Sequence, residues 1–545
     1  MCGIVALLGS RGASETIDKV KWAELTKCGA RGPEGTRYER VSPTALFGFH
    51  RLAINGFGDE QSMQPLHIGT CSLICNGEIY NWRALYAEHN VVPITRSDCE
   101  IVAHLYMLYG IEKTLHLLDG VFAFVLFDHT SSKTVVARDR YGVRPLFVRP
   151  PAGPKGICLV ASEMKSLVGL DAGTGTIRQF PPGHFIVSQP GRAPYAAGEV
   201  PRPFPRLPVA LPWEADAETT FLGGIRKSLI AAVKKRTSST DRGVTCLLSG
   251  GLDSSLVAAL VASQLAPKPL HTWSIGLKGS EDLECADAAA AHIGSVHHRV
   301  EVTEDEFLEC IDDVIYAIES YDTTTVRASV GNWLISRYIR ENSDDKVVFN
   351  GDGSDEVCGG YLYMHCAPNA EEFDKECRRL LQDIHFFDVL RSDRSISAHG
   401  LEARTPFLDP HFVETYLAVP SSLRFHAAQG QCEKYLLRKA FDGFDLLPDS
   451  ILWRRKEAFS DGVSKKTESW FEVIQRHAFA SLRKEGIEVD TPAAAEKLYY
   501  RRIFDRYFRG NRDTIPYMWM PRFVEADDAS ARTLDIYRNK KCPLK

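Results

Sequence analysis

Short apolar runs separated by Gly, Pro and Asn dominate the first 187 residues of the chain. This pattern is typical of strands, and two stretches with helical periodicity, Ser14–Thr26 and Glu100–Tyr109, accompany them. The predicted strands are Gly3–Leu8, Ala45–Ile54, Cys71–Asn76, Val121–Phe127, Lys133–Arg138 and Ile157–Ala161. Together they predict an α+β region built on sandwiched antiparallel sheets.

A proline-rich stretch follows this region. Seven prolines lie between Pro190 and Pro212, which argues against a regular helix or a central strand there. We therefore predict a linker and place the domain boundary at residue 205, giving domains 1–205 and 206–545.

The pattern changes after the linker. Short buried runs alternate with helical periods, which indicates a parallel sheet with helices on both faces. The predicted strands are Val244–Leu248, His271–Gly276 and Lys346–Asn350, and the predicted helices include Thr219–Lys235 and Leu252–Leu265. The sequence from about residue 430 onward is mostly helical in pattern. After Glu525 it shows no recognisable chemistry, and we expect local disorder there.

Composition narrows the class of protein. The 545 residues are 44% hydrophobic and 25% charged, with a net charge of −5, so no basic field favours nucleic acid. The longest apolar run, Val121–Phe127, is far too short to span a membrane. The apolar stretch Ile4–Leu8 has no basic region before it and no small-residue cleavage site, so we expect no secretory signal. The 14 cysteines include no CxxC pair, so we expect reduced thiols and a cytoplasmic protein. Cys71 and Cys75 are interpreted as packed thiols rather than metal ligands.

The second residue offers nucleophilic chemistry. If Met1 is removed, Cys2 carries both a thiol and a free α-amino group that can act as its own general base. Such activation matters because the thiolate is the reactive form of cysteine.

A loop between a predicted strand and helix offers nucleotide chemistry. Ser249–Ser255 contains two glycines that allow close backbone approach, and the following helix N-terminus favours an anion. Asp253 within it would need a divalent cation beside phosphate. A Gly-Gly turn with a serine cap is the simpler alternative. A second loop, Asn350–Glu356, holds three carboxylates that would repel one another without a bound cation or ammonium group.

These features together resemble the glutamine-hydrolysing asparagine synthetase family along nearly the whole chain. The N-terminal motifs that carry the resemblance are Met1–Ile4, Arg31–Pro33, His50–Leu52, Asn76–Asn81, Ser97–Asp98 and Asp139–Leu146. The C-terminal motifs are Leu248–Ser255, Tyr321–Ser329, Gly351–Glu356, Gly400–Asp409 and Lys456–Gly462. The resemblance implies an N-terminal nucleophile glutaminase joined to an ATP-pyrophosphatase domain.

For the glutaminase, the resemblance implies that Cys2 attacks the side-chain amide of glutamine and releases ammonia. Asn76 and Gly77 would form the oxyanion hole. Arg51 would hold the glutamine carboxylate, and Asp98 with Glu78 would bind its α-ammonium group. Taken alone, Arg51 could be a surface residue, and Asp98 could cap the helix that starts near Glu100.

For the second site, the resemblance implies that aspartate and ATP form β-aspartyl-AMP, which ammonia attacks. The implied ATP-binding residues are Leu247, Ser249, Gly250, Gly251, Asp253, Ser254, Ser255, Ile275, Gly351 and Lys456. Lys456 would neutralise charge on the α-phosphate, and Asp253 with Asp355 would hold magnesium. Thr324, Arg327, Asp352 and Tyr361 would surround aspartate and the intermediate, with Asp352 assisting the attack of ammonia.

Three departures from the family pattern bear on this interpretation. Ala30 stands where the family usually has His, Glu34 where it has Asp, and Asp352 where it has Glu. The first two could alter the wall between the glutamine site and the ammonia route. Asp352 keeps the charge of the usual Glu on a side chain one methylene shorter, so coupling of ammonia to synthesis could be weaker.

Other functions remain to be weighed. A β-lactam-synthetase-like enzyme would adenylate a carboxylate but generally lacks the catalytic Cys, and a phosphosugar amidotransferase would have no use for a pyrophosphate loop. A non-catalytic regulatory protein would be expected to have lost ligands. The resemblance favours glutamine, aspartate and ATP as substrates, and a homodimer.

Overall fold

The computed structural model describes residues 1–10, 22–153, 155–170, 175–204, 217–457, 459–464 and 469–538. The α-helices are α1 Trp22–Leu25, α2 Trp82–Glu88, α3 Glu100–Leu117, α4 Ala217–Thr237, α5 Leu252–Leu265, α6 Glu281–Ile293, α7 Glu304–Glu309, α8 Ile311–Ile318, α9 Thr323–Asn342, α10 Ser354–Cys358, α11 Ala370–Asp383, α12 Asp388–Ser397, α13 Pro410–Ala418, α14 Ser421–Arg424, α15 Tyr435–Phe441, α16 Asp449–Leu452, α17 Phe459–Gly462, α18 Trp470–Lys484, α19 Pro492–Phe508 and α20 Asp535–Arg538.

Strands of the N-terminal half form two antiparallel sheets. The strands are β1 Gly3–Gly9, β2 Gly35–Ser42, β3 Ala45–Arg51, β4 Leu66–Ile68, β5 Cys71–Ile79, β6 Gly120–Asp128, β7 Lys133–Arg138, β8 Phe147–Arg149, β9 Ile157–Ala161, β10 Arg178–Gln179, β11 His184–Val187 and β12 Arg202–Pro203. Six strands in the order β10-β8-β9-β1-β3-β2 make the first sheet, and six in the order β12-β11-β7-β6-β5-β4 make the second.

The two sheets face each other across a shared apolar core. Ile4 and Ala6 of β1 pack with Ile74 of β5 and with Ala123 and Val125 of β6 in one cluster. Successive side chains of a strand point to opposite faces, so β1 fills this layer with every second residue. The sandwich confirms the predicted architecture of the N-terminal half.

The C-terminal half contains a five-stranded parallel sheet. Its strands are β13 Val244–Leu247, β14 His271–Leu277, β15 Val296–Val302, β16 Val347–Phe349 and β17 Glu402–Arg404, in the order β15-β14-β13-β16-β17. Apolar residues of α4 and α5 cover one face, and those of α8 and α9 cover the other. This confirms the predicted α/β domain.

Most predicted elements have the expected type, and the differences are local. The first predicted helix falls largely outside the described residues, which contain only its end as α1. The helix predicted to end at Tyr109 continues to Leu117 through a kink at Gly110, whose φ is 75°. The edge strands β2 and β15 were not predicted, because exposed polar side chains replace the apolar alternation that signals a strand.

Buried ion pairs join the two halves of the molecule. Arg31 Nη1 of the N-terminal half lies 2.7 Å from Asp393 Oδ2, and Glu78 Oε2 of the same half lies 3.2 Å from Arg404 Nη2. Gly56 N also donates a 2.8 Å hydrogen bond to Asp241 Oδ2 across the same interface.

The predicted domain boundary at residue 205 falls on residues 205–216, which lie outside the described part of the chain. No helix among the described residues is both long and apolar enough to cross a membrane.

Candidate active sites

Cys2 lies immediately before β1, beside the end of β3. The antiparallel register pairs Gly3 with His50, which places Cys2 next to Arg51 and Leu52. The Cys2 thiol donates a 3.5 Å hydrogen bond to Leu52 O. Burial raises the pKa of this thiol to about 11, so in the presence of Met1 it is held in its protonated, weakly nucleophilic form.

Met1 is buried in the interface between the halves. Its amino group lies 3.5 Å from Leu401 O and 3.9 Å from Glu402 Oε2, and burial lowers the pKa of this amino group to about 6. Its sulfur contacts the guanidinium groups of Arg31 and Arg144. While Met1 is present, Cys2 therefore has a peptide nitrogen in place of a basic amine.

Asn76 and Gly77 lie in β5, opposite Cys2 in the sandwich. Asn76 shares the inward face of β5 with Ile74, because residues two apart point the same way. Its side-chain Oδ1 and Nδ2 are both buried without a hydrogen-bond partner. A Cβ at Gly77 would lie 2.5 Å from Val121 O, so only glycine fits there. An unpartnered buried amide on this inward face is available to bind a developing oxyanion.

Two buried carboxyl groups, those of Glu78 and Asp98, lie near the Asn76–Gly77 segment. Glu78 Oε2 accepts a 2.7 Å hydrogen bond from Asn55 Nδ2 and pairs with Arg404, while burial raises the pKa of Glu78 well above its usual range. Asp98 Oδ2 accepts a 2.7 Å hydrogen bond from Ile79 N, and burial raises the pKa of Asp98 to about 6. Asp98 does not cap α3, whose N-terminal cap residue makes no side-chain hydrogen bond.

Arg51 is held by backbone carbonyl groups. Its Nη1 donates to Asp59 O at 3.0 Å, and its Nη2 donates to Gly56 O at 2.6 Å. These contacts fix the guanidinium at the end of β3 beside Cys2. The structure therefore brings all six predicted glutaminase residues to one end of the sandwich.

The predicted nucleotide loop joins β13 to α5. Gly250 adopts a φ of 71°, and a Cβ there would lie 2.4 Å from Ala286 N, so the turn requires glycine. Ser254 Oγ accepts a 3.1 Å hydrogen bond from Ser249 N, which closes the loop over the start of α5. Gly251 is the N-terminal cap residue of that helix. The loop thus presents the N-terminus of a helix, as an anion-binding loop requires.

Gly351 brings the second loop against the first. A Cβ at Gly351 would lie 2.7 Å from Asp253 Cβ and 2.8 Å from Ser254 N. Ser354 Oγ donates a 2.8 Å hydrogen bond to Asp253 Oδ1 across the junction. The two loops follow β13 and β16, neighbouring strands of the parallel sheet, at their carboxyl ends.

Two lysines neutralise the carboxylates at this junction. Lys434 Nζ lies 2.6 Å from Asp253 Oδ2 and 2.5 Å from Asp355 Oδ1, and its side chain is 1% exposed. Lys456 Nζ lies 2.7 Å from Asp355 Oδ2 and 3.7 Å from Asp253 Oδ2. Although burial acts in the opposite direction, these lysines lower the pKa of Asp355 below its ordinary value. Asp355, one of the three carboxylates of the second loop, is thus neutralised by cations of the protein itself.

A large cavity opens at the carboxyl ends of β13, β14 and β16. The predicted residues that line it are Leu247, Ser249, Gly251, Asp253, Ser254, Ile275, Thr324, Gly351, Asp352, Asp355, Tyr361 and Lys456. Three predicted residues, Gly250, Ser255 and Arg327, do not line it. Gly250 shapes the turn from behind, and the Ser255 hydroxyl is buried without a hydrogen-bond partner.

Asp352 faces the cavity beside a buried arginine. Its Oδ1 lies 2.9 Å from Arg391 Nη2, and the same guanidinium contacts Asp388. Burial raises the pKa of Asp352 above its ordinary value. The shorter side chain therefore keeps a carboxyl group in the cavity wall, paired with a cation.

The residues predicted to surround aspartate are divided by the structure. Thr324 and Tyr361 line the cavity, the Thr324 hydroxyl is buried without a partner, and Tyr361 OH donates a 2.6 Å hydrogen bond to Glu356. Arg327 instead faces a smaller adjoining cavity, and its guanidinium is shared by Glu496 and Asp528 at 2.6–2.8 Å. The structure thus does not bring Arg327 into the main cavity.

Comparison with known proteins shows to which family the chain belongs. A family model described as a glutamine amidotransferase domain matches residues 1–192, and one described as asparagine synthase matches residues 224–373 and 366–526. The chain is 41% identical to "Asparagine synthetase [glutamine-hydrolyzing]" of Gallus gallus over 570 residues, which covers 99% of each chain. The chain belongs to the glutamine-hydrolysing asparagine synthetase family. The Homo sapiens asparagine synthetase is also 41% identical, again over 99% of each chain.

Solved structures give more distant likenesses. Glutamine phosphoribosylpyrophosphate amidotransferase from B. subtilis aligns with a TM-score of 0.31 and 16% identity, over 55% of this chain and 81% of that protein. NMN synthetase from Francisella tularensis aligns with a TM-score of 0.26 and 12% identity, over 55% of this chain and 97% of that protein.

One departure from the asparagine synthetase pattern has a clear structural setting. The Glu34 carboxylate accepts a 2.7 Å hydrogen bond from Ala53 N and lies 2.8 Å from Arg242 Nη1 of the synthetase half. Ala53 follows Leu52, the residue whose carbonyl group contacts the Cys2 thiol. The Glu34 side chain therefore links the backbone beside Cys2 to the other half of the molecule. Ala30 lies near Gly400 at the same interface.

Several residues of these asparagine synthetase sites were missed in the sequence. Lys434 and Arg391 lie outside the glycine-rich loops, and Arg454 donates a 3.0 Å hydrogen bond to Gly250 O and pairs with Asp282 at 2.7 Å. Trp519 also lines the main cavity. Arg454 lies two residues before Lys456, so a recognised motif stood close to it, whereas Lys434, Arg391 and Trp519 had no such motif directly beside them.

Proposed function

We propose that this enzyme makes L-asparagine from L-aspartate with glutamine as nitrogen donor and ATP as the source of energy. The observation that carries the proposal is the cavity where the Ser249 loop, the Gly351 loop and Lys456 meet. The same chain has Cys2 beside Arg51 and Leu52, in the half that is predicted to bind glutamine. Family membership over the full length supports the same pair of reactions.

The glutaminase reaction begins when Met1 is removed and the α-amino group of Cys2 becomes a base. The Cys2 sulfur bonds to the amide carbon of glutamine, and the C–N bond breaks to release ammonia as the leaving group. Water then cleaves the thioester to give glutamate and the free thiol. Asn76 and the backbone of Gly77 would stabilise the oxyanion, and Arg51, Glu78 and Asp98 would bind the carboxylate and ammonium groups of glutamine.

The synthetase reaction joins aspartate to AMP. A carboxylate oxygen of aspartate attacks the α-phosphorus of ATP, and pyrophosphate leaves; ammonia then displaces AMP from β-aspartyl-AMP and gives asparagine. The Ser249–Ser255 loop would hold pyrophosphate, with Leu247, Ile275 and Gly351 along the nucleotide. Lys456 would offset charge on the α-phosphate, and Asp352 would accept a proton from attacking ammonia. Thr324 and Tyr361 would contact the aspartyl part.

Arg327 has a different proposed role from the one expected of it. Because Glu496 and Asp528 already occupy its guanidinium, it would support the aspartate pocket from the adjoining cavity.

Magnesium fits the carboxylates at the loop junction. Asp253 and Asp355 both contact the ammonium group of Lys434, so the two carboxylates lie close together, and they are the residues that would hold the cation. Within the described residues no group of three or more His, Cys, Asp or Glu is arranged to hold a metal ion, and Mg²⁺ commonly takes one or two carboxylates plus phosphates and water. When bound, it would supply positive charge for the phosphates of ATP.

Three broader points complete the proposal. We retain the domain boundary at residue 205, which agrees in position with the gap between the two family matches. We also retain a homodimer and a cytoplasmic location as predictions from the family resemblance and from the cysteine pattern.

The decisive experiment measures asparagine formation by purified protein with aspartate and Mg-ATP. Glutamine and ammonium are supplied in parallel reactions to wild type and to Cys2→Ala. We expect asparagine from both donors in wild type, and loss of the glutamine route alone in Cys2→Ala. If wild type made no asparagine with glutamine and none with ammonium, the proposal would be contradicted. That result would favour a β-lactam-synthetase-like enzyme, which closes a ring on a different carboxylate, or a non-catalytic protein.

A further inference from the structure

The C-terminal segment, residues 519–538, packs against the synthetase cavity. Disorder was expected after Glu525, yet the structure places residues up to Arg538, and Trp519 lines both cavities. Trp519 N donates a 2.7 Å hydrogen bond to Asp322 Oδ1, which is the N-terminal cap residue of α9. The segment is therefore anchored at its start to the helix that carries Thr324.

Both neighbours of Lys456 are bound by this segment. Arg455 Nη2 donates to Ile536 O at 3.0 Å. Glu457 Oε1 accepts from Arg532 Nε at 2.8 Å, and Tyr537 OH lies 3.0 Å from Glu457 Oε2. Arg455, Lys456 and Glu457 all line the main cavity. The backbone that carries the Lys456 ammonium group is thus fixed on each side by residues 532–537.

Arg532 connects two separate parts of the chain around the lysine. Besides Glu457, its Nη1 donates to Ser469 Oγ at 3.2 Å and lies 3.4 Å from Ser464 Oγ. The Arg532 and Glu457 side chains are each 17% exposed, so water screens their ion pair only partly. A planar guanidinium can hold several oxygens in fixed directions, which a flexible ammonium cannot do.

Two further residues of the segment contact the same part of the molecule. Ser530 Oγ donates to Asp461 at 2.8 Å, and Asp461 is a further residue of the Lys456 motif. Asp528 pairs with Arg327 of α9 at 2.7 Å. The segment therefore reaches the Lys456 motif and α9 together, and neither contact is made with a residue that holds the nucleotide loop.

We propose that Arg532 is a positioning residue for the synthetase reaction, which acts through Glu457 to hold Lys456 at the carboxylates of the nucleotide site. This inference rests on the proposed function of Lys456. Loss of Arg532 leaves the Lys456 ammonium present but less well placed, so the rate of adenylation falls while the affinity for ATP, set mainly by the Ser249 loop, changes little. Misplacement of a catalytic group by about 1 Å can reduce a rate about 100-fold.

The test compares Arg532→Gln with Arg532→Lys, Glu457→Gln and the double variant R532Q/E457Q. Arg522→Gln is the matched control, because Arg522 lies in the same segment and pairs with Glu376 at 2.9 Å, away from the lysine. Ammonia-dependent asparagine synthesis gives kcat and the KM for ATP, and glutamine hydrolysis without ATP reports the integrity of the other half. Wild-type synthesis, measured in parallel, tests the proposed function separately.

We expect R532Q to lower kcat about tenfold or more, with the KM for ATP and the glutaminase rate within about twofold of wild type. R532K should recover part of the lost kcat. R532Q/E457Q should have a kcat no lower than that of the slower single variant, because Arg532 acts on Lys456 through Glu457 and removing either partner breaks the same contact. A kcat for R532Q equal to that of R522Q, or effects of R532Q and E457Q that multiply, would overturn the proposal. If wild type makes no asparagine, the proposed function itself fails.

Discussion

Asp98→Asn separates two opposite effects of one buried carboxyl group. Asp98 is 3% exposed, and burial is the largest cause of the rise in its pKa from 3.8 to about 6. Each tenfold change in a proton equilibrium corresponds to about 1.4 kcal/mol. The ionised carboxylate therefore lowers the free energy of unfolding at neutral pH by about 3 kcal/mol, and that is the amount that an uncharged side chain could recover.

The upward shift of the Asp98 pKa on folding determines the pH range in which stability changes. Between pH 3.8 and about pH 6 the folded state retains a proton that the unfolded state has lost, so stability falls as the pH rises through this window. The loss is complete above about pH 6 and absent below the unfolded pKa. An Asn side chain still offers an oxygen to Ile79 N. We expect Asp98→Asn to raise the free energy of unfolding by up to about 3 kcal/mol at pH 7.5, and by about half of that at pH 5.

Urea unfolding at both pH values measures this gain. Asp59→Asn is the control. A hydrogen bond from Ser62 is the main cause that lowers the pKa of Asp59, so the ionised carboxylate stabilises the fold. Replacing this carboxylate should therefore decrease the free energy of unfolding. An Asp98→Asn protein that is no more stable than wild type at pH 7.5, or equally stabilised at both pH values, would refute the reasoning from burial.

The same variant should lose its hold on glutamine. A hydrogen bond to a charged group contributes about 1.5–3 kcal/mol, so the KM for glutamine should rise about 10- to 100-fold if Asp98 binds the α-ammonium group. Ammonia-dependent synthesis provides the internal control and should be unchanged. An unaltered KM for glutamine would remove Asp98 from the proposed binding set while leaving the stability argument intact.

Three further substitutions test the synthetase site. Lys434→Met should lower the free energy of unfolding at pH 7 by about 3 kcal/mol, the low end for a broken buried ion pair, because a second lysine remains near Asp253 and Asp355; an unchanged urea midpoint would contradict this. Asp352→Asn should slow asparagine formation but spare pyrophosphate release, and a wild-type rate of asparagine formation would show that Asp352 does not assist ammonia. Gly351→Ala should cost about 1–3 kcal/mol and abolish synthesis but not glutaminase activity, since its Cβ would lie 2.7 Å from Asp253 Cβ; full synthetase activity would show that the loops can separate freely.

Local sequence was sufficient for the framework of both domains. Unbroken apolar runs such as Gly3–Leu8 and Val121–Phe127 indicate strands that are buried on both faces, because burial on both faces favours apolar side chains at every position. The Ser249 loop was recognisable for a similar reason: glycine, hydroxyl and carboxylate positions within seven residues define one turn at a helix N-terminus. Strands β2 and β15 were missed because most of their side chains are exposed or half-buried, and an edge strand of this kind needs no apolar run.

The sequence alone determined which chemical groups this protein carries: a cysteine near its start, a nucleotide loop, a carboxylate loop and the Lys456 motif. Only the tertiary structure decided how these groups are neutralised and held. Lys434 lies 181 residues from Asp253 along the chain, and Arg532 lies 75 residues from Glu457. Ion pairs of this kind depend on side chains meeting in space and leave no local periodicity in the sequence. The positions of charges around each site therefore follow from packing, whereas the presence of the sites follows from short motifs.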